Sequence, residues 1–233
     1  MSEKTAAHEH FTAIAAELRE GRTVEQTYQL IVASAPRLID GCDRAAIGVL
    51  NGTQFTTAAA TDEVMRFIDK QQNALGEGPC LEASTDQVWQ LDNDIATHTK
   101  WPRLAAQVLE HTPVRAMFAV PLVDDGLRGG ALNVFADRPG AFTEESTESA
   151  AVLAAFATIA VSAARHAQRA DQLQEGLATN REIGAAVGIL MATHGISNDE
   201  AFAVLSRASQ RLNRKLRDIA AGIVRGENAP SST

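Results

Sequence analysis

Six side chains toward the C-terminal end of the chain have the types and spacing to do chemistry: Asn213, Lys215 and Arg217, with Arg214, Arg211 and Arg207. Guanidinium and ammonium groups at this density contact phosphates, and an amide among them can hydrogen-bond the edges of unpaired bases. From Leu205 to Arg225 six basic residues stand against one acid, Asp218, although the formal net charge of the whole chain is −8. An acidic body with one basic segment keeps non-specific polyanion binding low and leaves one surface able to meet nucleic acid. Charge alone equally suits a solvated helix face.

Other chemistry is thinly represented. Cys42 and Cys80 are the only cysteines, too few for an all-cysteine metal site, His8 and His10 fall in an expected frayed terminus and the other four histidines show no ligand spacing, so no metal is expected. Neither a Ser-His-Asp set nor a receiver-type phosphoacceptor nor a kinase motif can be made out, and no catalytic residue is assigned. Gly76 and Gly78 fit neither phosphate-loop fingerprint and are read as a turn. Cys80, beside Gly78-Pro79, is either an exposed redox thiol, acting with Cys42, or an inert one.

The elements that position these residues follow from periodicity. Helices are predicted over Phe11–Leu18 and over Val24–Leu38, the second capped by Thr23. Strands are predicted at 44–50 and 54–60 about Asn51-Gly52, at 87–91, and at 114–123 and 129–135 about Asp124-Asp125-Gly126. Helices fill 61–73 and 102–111, Leu75 to Cys80 reads as loop, and the whole is an antiparallel sheet with helices packed against it. From Thr143 onward everything reads as helix. Val152, Phe156, Ile159, Ala163, His166, Ala170, Leu173 and Leu177 alternate in steps of four and three, a coiled-coil seam that predicts a parallel homodimer unless this helix packs on its own sheet. Ser197 and Glu200 form a capping-box pattern after Gly195. A last helix is read with Leu212, Leu216, Ile219 and Ile223 on one face, placing Arg211, Asn213, Arg214, Lys215 and Arg217 on its flanks and back.

The run Arg181-Glu-Ile-Gly-Ala-Ala-Val-Gly-Ile-Leu-Met191, then Ala201-Phe202, then Ser209-Gln-Arg-Leu-Asn-Arg-Lys-Leu-Arg-Asp-Ile-Ala220 resembles the ANTAR family over about the last third of the chain. The resemblance implies an all-α three-helix module that binds tandem RNA hairpins and favours antitermination of transcription, and it adds Arg181, which opens the family motif, to the candidate RNA contacts. Family members often have Lys where this chain has Val187, which implies one phosphate contact fewer. Gly184 and Gly188 are expected to allow close helix approach.

Leu75-Gly-Glu-Gly-Pro-Cys-Leu-Glu-Ala83, with Trp101-Pro102, Pro121-Leu122 and Gly130-Ala-Leu-Asn133, resembles GAF domains of actinobacterial sensors over roughly residues 20 to 165. That resemblance implies a sheet with helices on one face, a pocket on the other, and a small-molecule ligand or redox signal. Known GAF ligands range from cyclic nucleotides to haem and tetrapyrroles, so the ligand or cofactor here is unknown. Together these readings predict an α+β chain: a GAF-like sensor domain at 1–165, a long coiled-coil linker helix, and an ANTAR-like RNA-binding domain at 166–233. The expected function is that of a non-enzymatic, cytoplasmic antitermination regulator of the GAF-ANTAR type, without a membrane span. The alternative is a GAF-type thiol redox sensor or reductase whose helical tail serves assembly.

Overall fold

The computed structural model describes residues 12–14, 16–17, 23–51, 54–97, 99–123 and 129–226. Gly52, the turn at Asp124 to Gly126, and Phe11, Ala15 and Leu18 of the helix predicted over Phe11–Leu18 lie outside the described residues; 12–14 and 16–17 are helical. The chain divides into two compact units, Met1–His166 and Ala167–Thr233.

The first unit is built on an antiparallel sheet of β1 (Arg44–Asn51), β2 (Gln54–Ala60), β3 (Gln90–Asp92), β4 (Ala116–Pro121) and β5 (Gly130–Ala136), in the order β2-β1-β5-β4-β3. Its helices are α1 (Val24–Leu38), α2 (Glu63–Leu75), α3 (Pro79–Asp86), α4 (Pro102–His111) and the start of α5 (Glu144–His194). Thr23 caps α1 through a reciprocal capping box with Gln26, so α1 begins where its cap predicts.

Alternation along β5 sorts the core. Leu132 and Val134 point to one face, where they join Ile31, Val32 and Ala35 of α1 and Leu153, Ala157 and Val161 of α5. Phe135 points to the other and joins Met65 and Ile68 of α2, Cys80 of α3, and Leu104 and Val108 of α4. Helices therefore cover both faces, in contrast to the one-sided arrangement expected. On the second face Ala83 of α3 meets Ala119 and Ala131, residues small enough to let the helix lie against the sheet.

Two segments depart from the sequence reading. Pro79 and Cys80 are helix, not loop, because Pro79 at the first helical turn suits an N-terminus. The helix C-cap Gln87 takes a left-handed conformation (φ 56°), which ends α3 and delays β3 to Gln90.

The second unit holds the rest of α5 with α6 (Asn198–Leu212) and α7 (Leu216–Val224). Ala186, Val187 and Leu190 pack with Ala201, Leu205 and Ala208, and with Ile219 and Ala220, to make a three-helix core. Gly195 (φ 64°) ends α5, and the reciprocal Ser197–Glu200 box opens α6. That box also holds the Glu200 carboxyl below its ordinary range through backbone and side-chain hydrogen bonds from Ser197.

By length and composition α5 would also pass as a membrane span, contrary to the sequence reading. Ala150, Leu153, Ala154, Ala157 and Val161 are instead buried in the sheet core.

Candidate nucleic-acid interface

The basic residues do not lie on the flanks and back of one helix. Asn213 adopts the left-handed conformation (φ 48°, ψ 41°), which Asn tolerates through its short polar side chain, and it ends α6 one residue after Leu212. Lys215 is extended and becomes the N-cap of α7. Leu212 is consequently 45% exposed and leaves the stripe assigned to it, while Leu216, Ile219 and Ile223 pack on the core.

This break gathers the site. Asn213, Arg214 and Lys215 form an exposed turn, with Arg211 in the last turn of α6 and Arg217 in the first turn of α7. Lys215 makes no side-chain capping bond and sits at the positive end of the α7 dipole, where a cation is electrostatically unfavourable and an anion welcome. The turn thus stacks side-chain and backbone positive charge in one place. Arg217 lies 3.7 Å from the Asp218 carboxylate, both about half exposed, a surface pair worth less than about 1 kcal/mol.

Hydrogen bonds hold the turn. The Asn213 amide donates to the carbonyls of Gln210 and Ser209, and the Arg214 amide donates to Ser209 O at 3.1 Å. The Ser209 hydroxyl donates to Arg214 O at 2.6 Å.

The remaining predicted residues are placed differently. Arg207 is exposed one helical turn before Arg211. Arg181 is exposed on α5 but lies nine residues before the buried Leu190, about half a turn away, and so faces away from the module core. It is not brought to the turn. Val187 is 5% exposed within the core, so the expected absence of a phosphate contact there has no bearing on the site: this position points inward. Nothing approaches the Cβ positions of Gly184 or Gly188 within 4 Å, so neither serves close helix packing in this chain.

The seam on α5 is exposed from Val152 to Leu177: Ile159, Leu173 and Leu177 are 68%, 69% and 70% accessible. The face packed on the sheet is a different one, so self-packing does not account for the seam.

In the first unit both cysteines are buried, which removes the exposed-thiol reading. Burial pushes the Cys42 thiol up to about 12 and also raises Cys80, where the Asp69 carboxylate adds to the effect. Thiolate, the reactive form, is suppressed at both. Gly78 (φ 144°) lets the chain pass Gln72, whose Oε1 accepts from the Cys80 amide at 2.9 Å; a Cβ at Gly78 would lie 2.2 Å from that oxygen. Glu77 accepts from the amides of Arg103 and Leu104 at 2.8 and 2.9 Å and so caps α4. The Gly-Glu-Gly segment is therefore structural.

Three polar groups escaped the sequence reading. Asp69 is buried, accepts from Thr57 Oγ1 at 2.6 Å and Gln72 Nε2 at 3.2 Å, and is pushed up to about 7 by desolvation. Asn133 is fully buried on β5 between Ala46 and Ala119, with neither its side-chain oxygen nor its nitrogen hydrogen-bonded within the protein. Ser209 was visible only as part of a motif; its bond across the turn has no local sequence signal.

Comparison with known proteins agrees with this division. The GAF domain model matches residues 21–162 and the ANTAR domain model residues 171–224. No curated protein matches the chain. Among solved structures, the GAF domain of a phosphoenolpyruvate-protein phosphotransferase from Coxiella burnetii is 16% identical with a TM-score of 0.54, over 72% of this chain and 99% of that one. A free methionine-R-sulfoxide reductase from Neisseria meningitidis, in complex with its substrate, is 17% identical with a TM-score of 0.54, over 72% and 95%. A domain of a putative two-component sensor histidine kinase from Sinorhizobium meliloti is 17% identical with a TM-score of 0.50, over 64% and 98%. These likenesses show the fold of the first unit alone. With a sensing-type domain followed by a regulatory, RNA-binding type of helical domain, the chain belongs to the GAF domain family and has the GAF-ANTAR two-domain architecture.

Proposed function

We propose that this chain is a signal-responsive, homodimeric antiterminator that binds tandem-hairpin leader RNA. The observation that carries the reading is the exposed turn Asn213-Arg214-Lys215, held between α6 and α7 at the positive end of a helix dipole within an ANTAR domain. Arg214, Lys215, Arg211 and Arg217 meet phosphates, and the Asn213 amide meets a loop base. Arg207 extends the basic surface, and Arg181 makes a separate phosphate contact from α5. The proposed sensor and effector domains correspond to residues 1–165 and 166–233.

Two chains pair along the α5 seam, so that each contributes one module to one of two hairpins. Linking two weak sites in this way raises affinity by about 10²- to 10⁴-fold without new contacts. The signal is a small molecule bound in the first domain. Because α5 contributes to the cores of both units, a shift of its first turns is a physical route to the RNA modules. The buried cysteines, both with raised pKa, weigh against the thiol-reductase alternative.

The test is a titration of the full chain with a two-hairpin leader RNA from its own genome and with the same RNA lacking one hairpin. Tight binding to the first and weak binding to the second is expected. Equal affinities would overturn pairing of the modules, and no binding to either would overturn the RNA reading.

A further inference from the structure

We infer that Ser209 is a positioning residue for RNA binding: it clasps both backbone groups of Arg214 and thereby holds the turn that displays Asn213, Arg214 and Lys215. The inference rests on the RNA-binding reading of that turn.

The clasp has two points. The Ser209 carbonyl accepts from the Arg214 amide at 3.1 Å, and the Ser209 hydroxyl donates to the Arg214 carbonyl at 2.6 Å. A residue fixed at its amide can still rotate its carbonyl; a second bond to that carbonyl removes this freedom. The peptide joining Arg214 to Lys215 carries that carbonyl, so the clasp sets the direction in which the chain enters α7, where Lys215 is extended (φ −61°, ψ 140°) with no side-chain cap of its own.

The turn needs such a tie for two reasons. Asn213 is one of two non-glycine residues with positive φ among the described residues, a conformation less favourable for a residue with a side chain than the right-handed one. In addition, Arg211, Arg214, Lys215 and Arg217 are four cations within seven residues. Their mutual repulsion favours spreading the turn, and Asp218 offsets only part of it.

Fixing the backbone that carries these side chains before RNA arrives lowers the entropy cost of binding, which is the benefit of preorganisation. Ser209 does this without adding charge. Its removal must therefore lower affinity while leaving the number of neutralised phosphates unchanged, and that number is read from the salt dependence of binding.

The experiment uses the full chain and a fluorescein-labelled two-hairpin leader RNA, at a temperature where every variant is folded by circular dichroism. Dissociation constants are measured across a salt series for wild type, Ser209→Ala and Ser209→Thr, with hydrogen exchange of the Arg214 amide followed in the free proteins. Ser209→Ala is expected to weaken binding about fivefold, the equivalent of one net hydrogen bond, with an unchanged salt slope and faster Arg214 exchange. Ser209→Thr keeps the hydroxyl and is expected to restore both. Wild-type affinity in Ser209→Ala, or a reduced salt slope, or unaltered Arg214 exchange, would overturn the clasp while leaving the RNA reading intact. A folded wild type that fails to bind the RNA would overturn both.

Discussion

Replacing Asn213 by glycine and by alanine separates two roles that this residue combines. Its backbone is left-handed at φ 48°, and its amide donates to the carbonyls of Gln210 and Ser209, so it serves as the cap of α6. Its side chain is exposed in the turn that precedes Lys215 and is proposed to meet a base. Glycine accepts the left-handed conformation without strain, whereas alanine there costs about 1 to 2 kcal/mol. For a unit the size of Ala167–Thr233, each kcal/mol corresponds to a fall of about 4 to 8 °C in Tm. Asn213→Gly should therefore melt within a few degrees of wild type, and Asn213→Ala about 4 to 16 °C lower. A well-formed bidentate base contact is worth about 1 to 3 kcal/mol, so both variants should bind the two-hairpin RNA about 5- to 150-fold more weakly, with the salt slope unchanged. The assays are differential scanning calorimetry and fluorescence anisotropy. Wild-type RNA affinity in Asn213→Gly would refute the base contact and reduce Asn213 to a cap.

Two further outcomes are expected from groups outside the turn. Asp69 has a folded pKa of about 7, above the ordinary carboxylate value because burial disfavours its charge. A raised acid binds its proton more tightly folded than unfolded, so its contribution to stability is fully present below about pH 4 and is lost as pH rises through about 7. Asp69→Asn should therefore gain stability relative to wild type between pH 5 and pH 8, by a few kcal/mol at most, read from urea melts; a constant difference across that range would disprove the assignment. On the seam, Leu173→Asp with Leu177→Asp introduces charge at two positions that are 69% and 70% exposed. A monomer in sedimentation and a drop of about 10²-fold or more in two-hairpin affinity are expected, and an unaltered dimer would place the interface elsewhere.

Much of the fold was legible because its signals are local. Thr23 with Gln26 and Ser197 with Glu200 mark helix starts by side chains three residues apart, and the pairing of 44–51 with 54–60 follows from adjacent apolar runs. The candidate site was legible in composition but not in shape. Leu212, Leu216, Ile219 and Ile223 keep a helical rhythm across a break, so periodicity carried the helix through Asn213, a residue that permits a left-handed turn without requiring one. Val187 and Arg181 illustrate the same limit: which way a helical residue faces depends on what packs against it, and burial alone revealed Val187 as core. Asn133 and Asp69 were hidden for another reason. A polar residue in an apolar strand or an amphipathic helix gives no sign of whether its partners lie in the protein, in solvent or in a ligand.

The central claim is that the α6–α7 turn is the RNA-binding surface, and it is tested most directly by the salt dependence of binding to the two-hairpin leader RNA for wild type and for Lys215→Ala/Arg217→Ala. Wild type should bind tightly with a steep salt dependence, and the double variant should bind more weakly with a slope shallower by about 0.7 to 0.9 for each phosphate that is no longer neutralised. An identical slope and affinity in the two proteins would contradict the assignment of this turn to RNA.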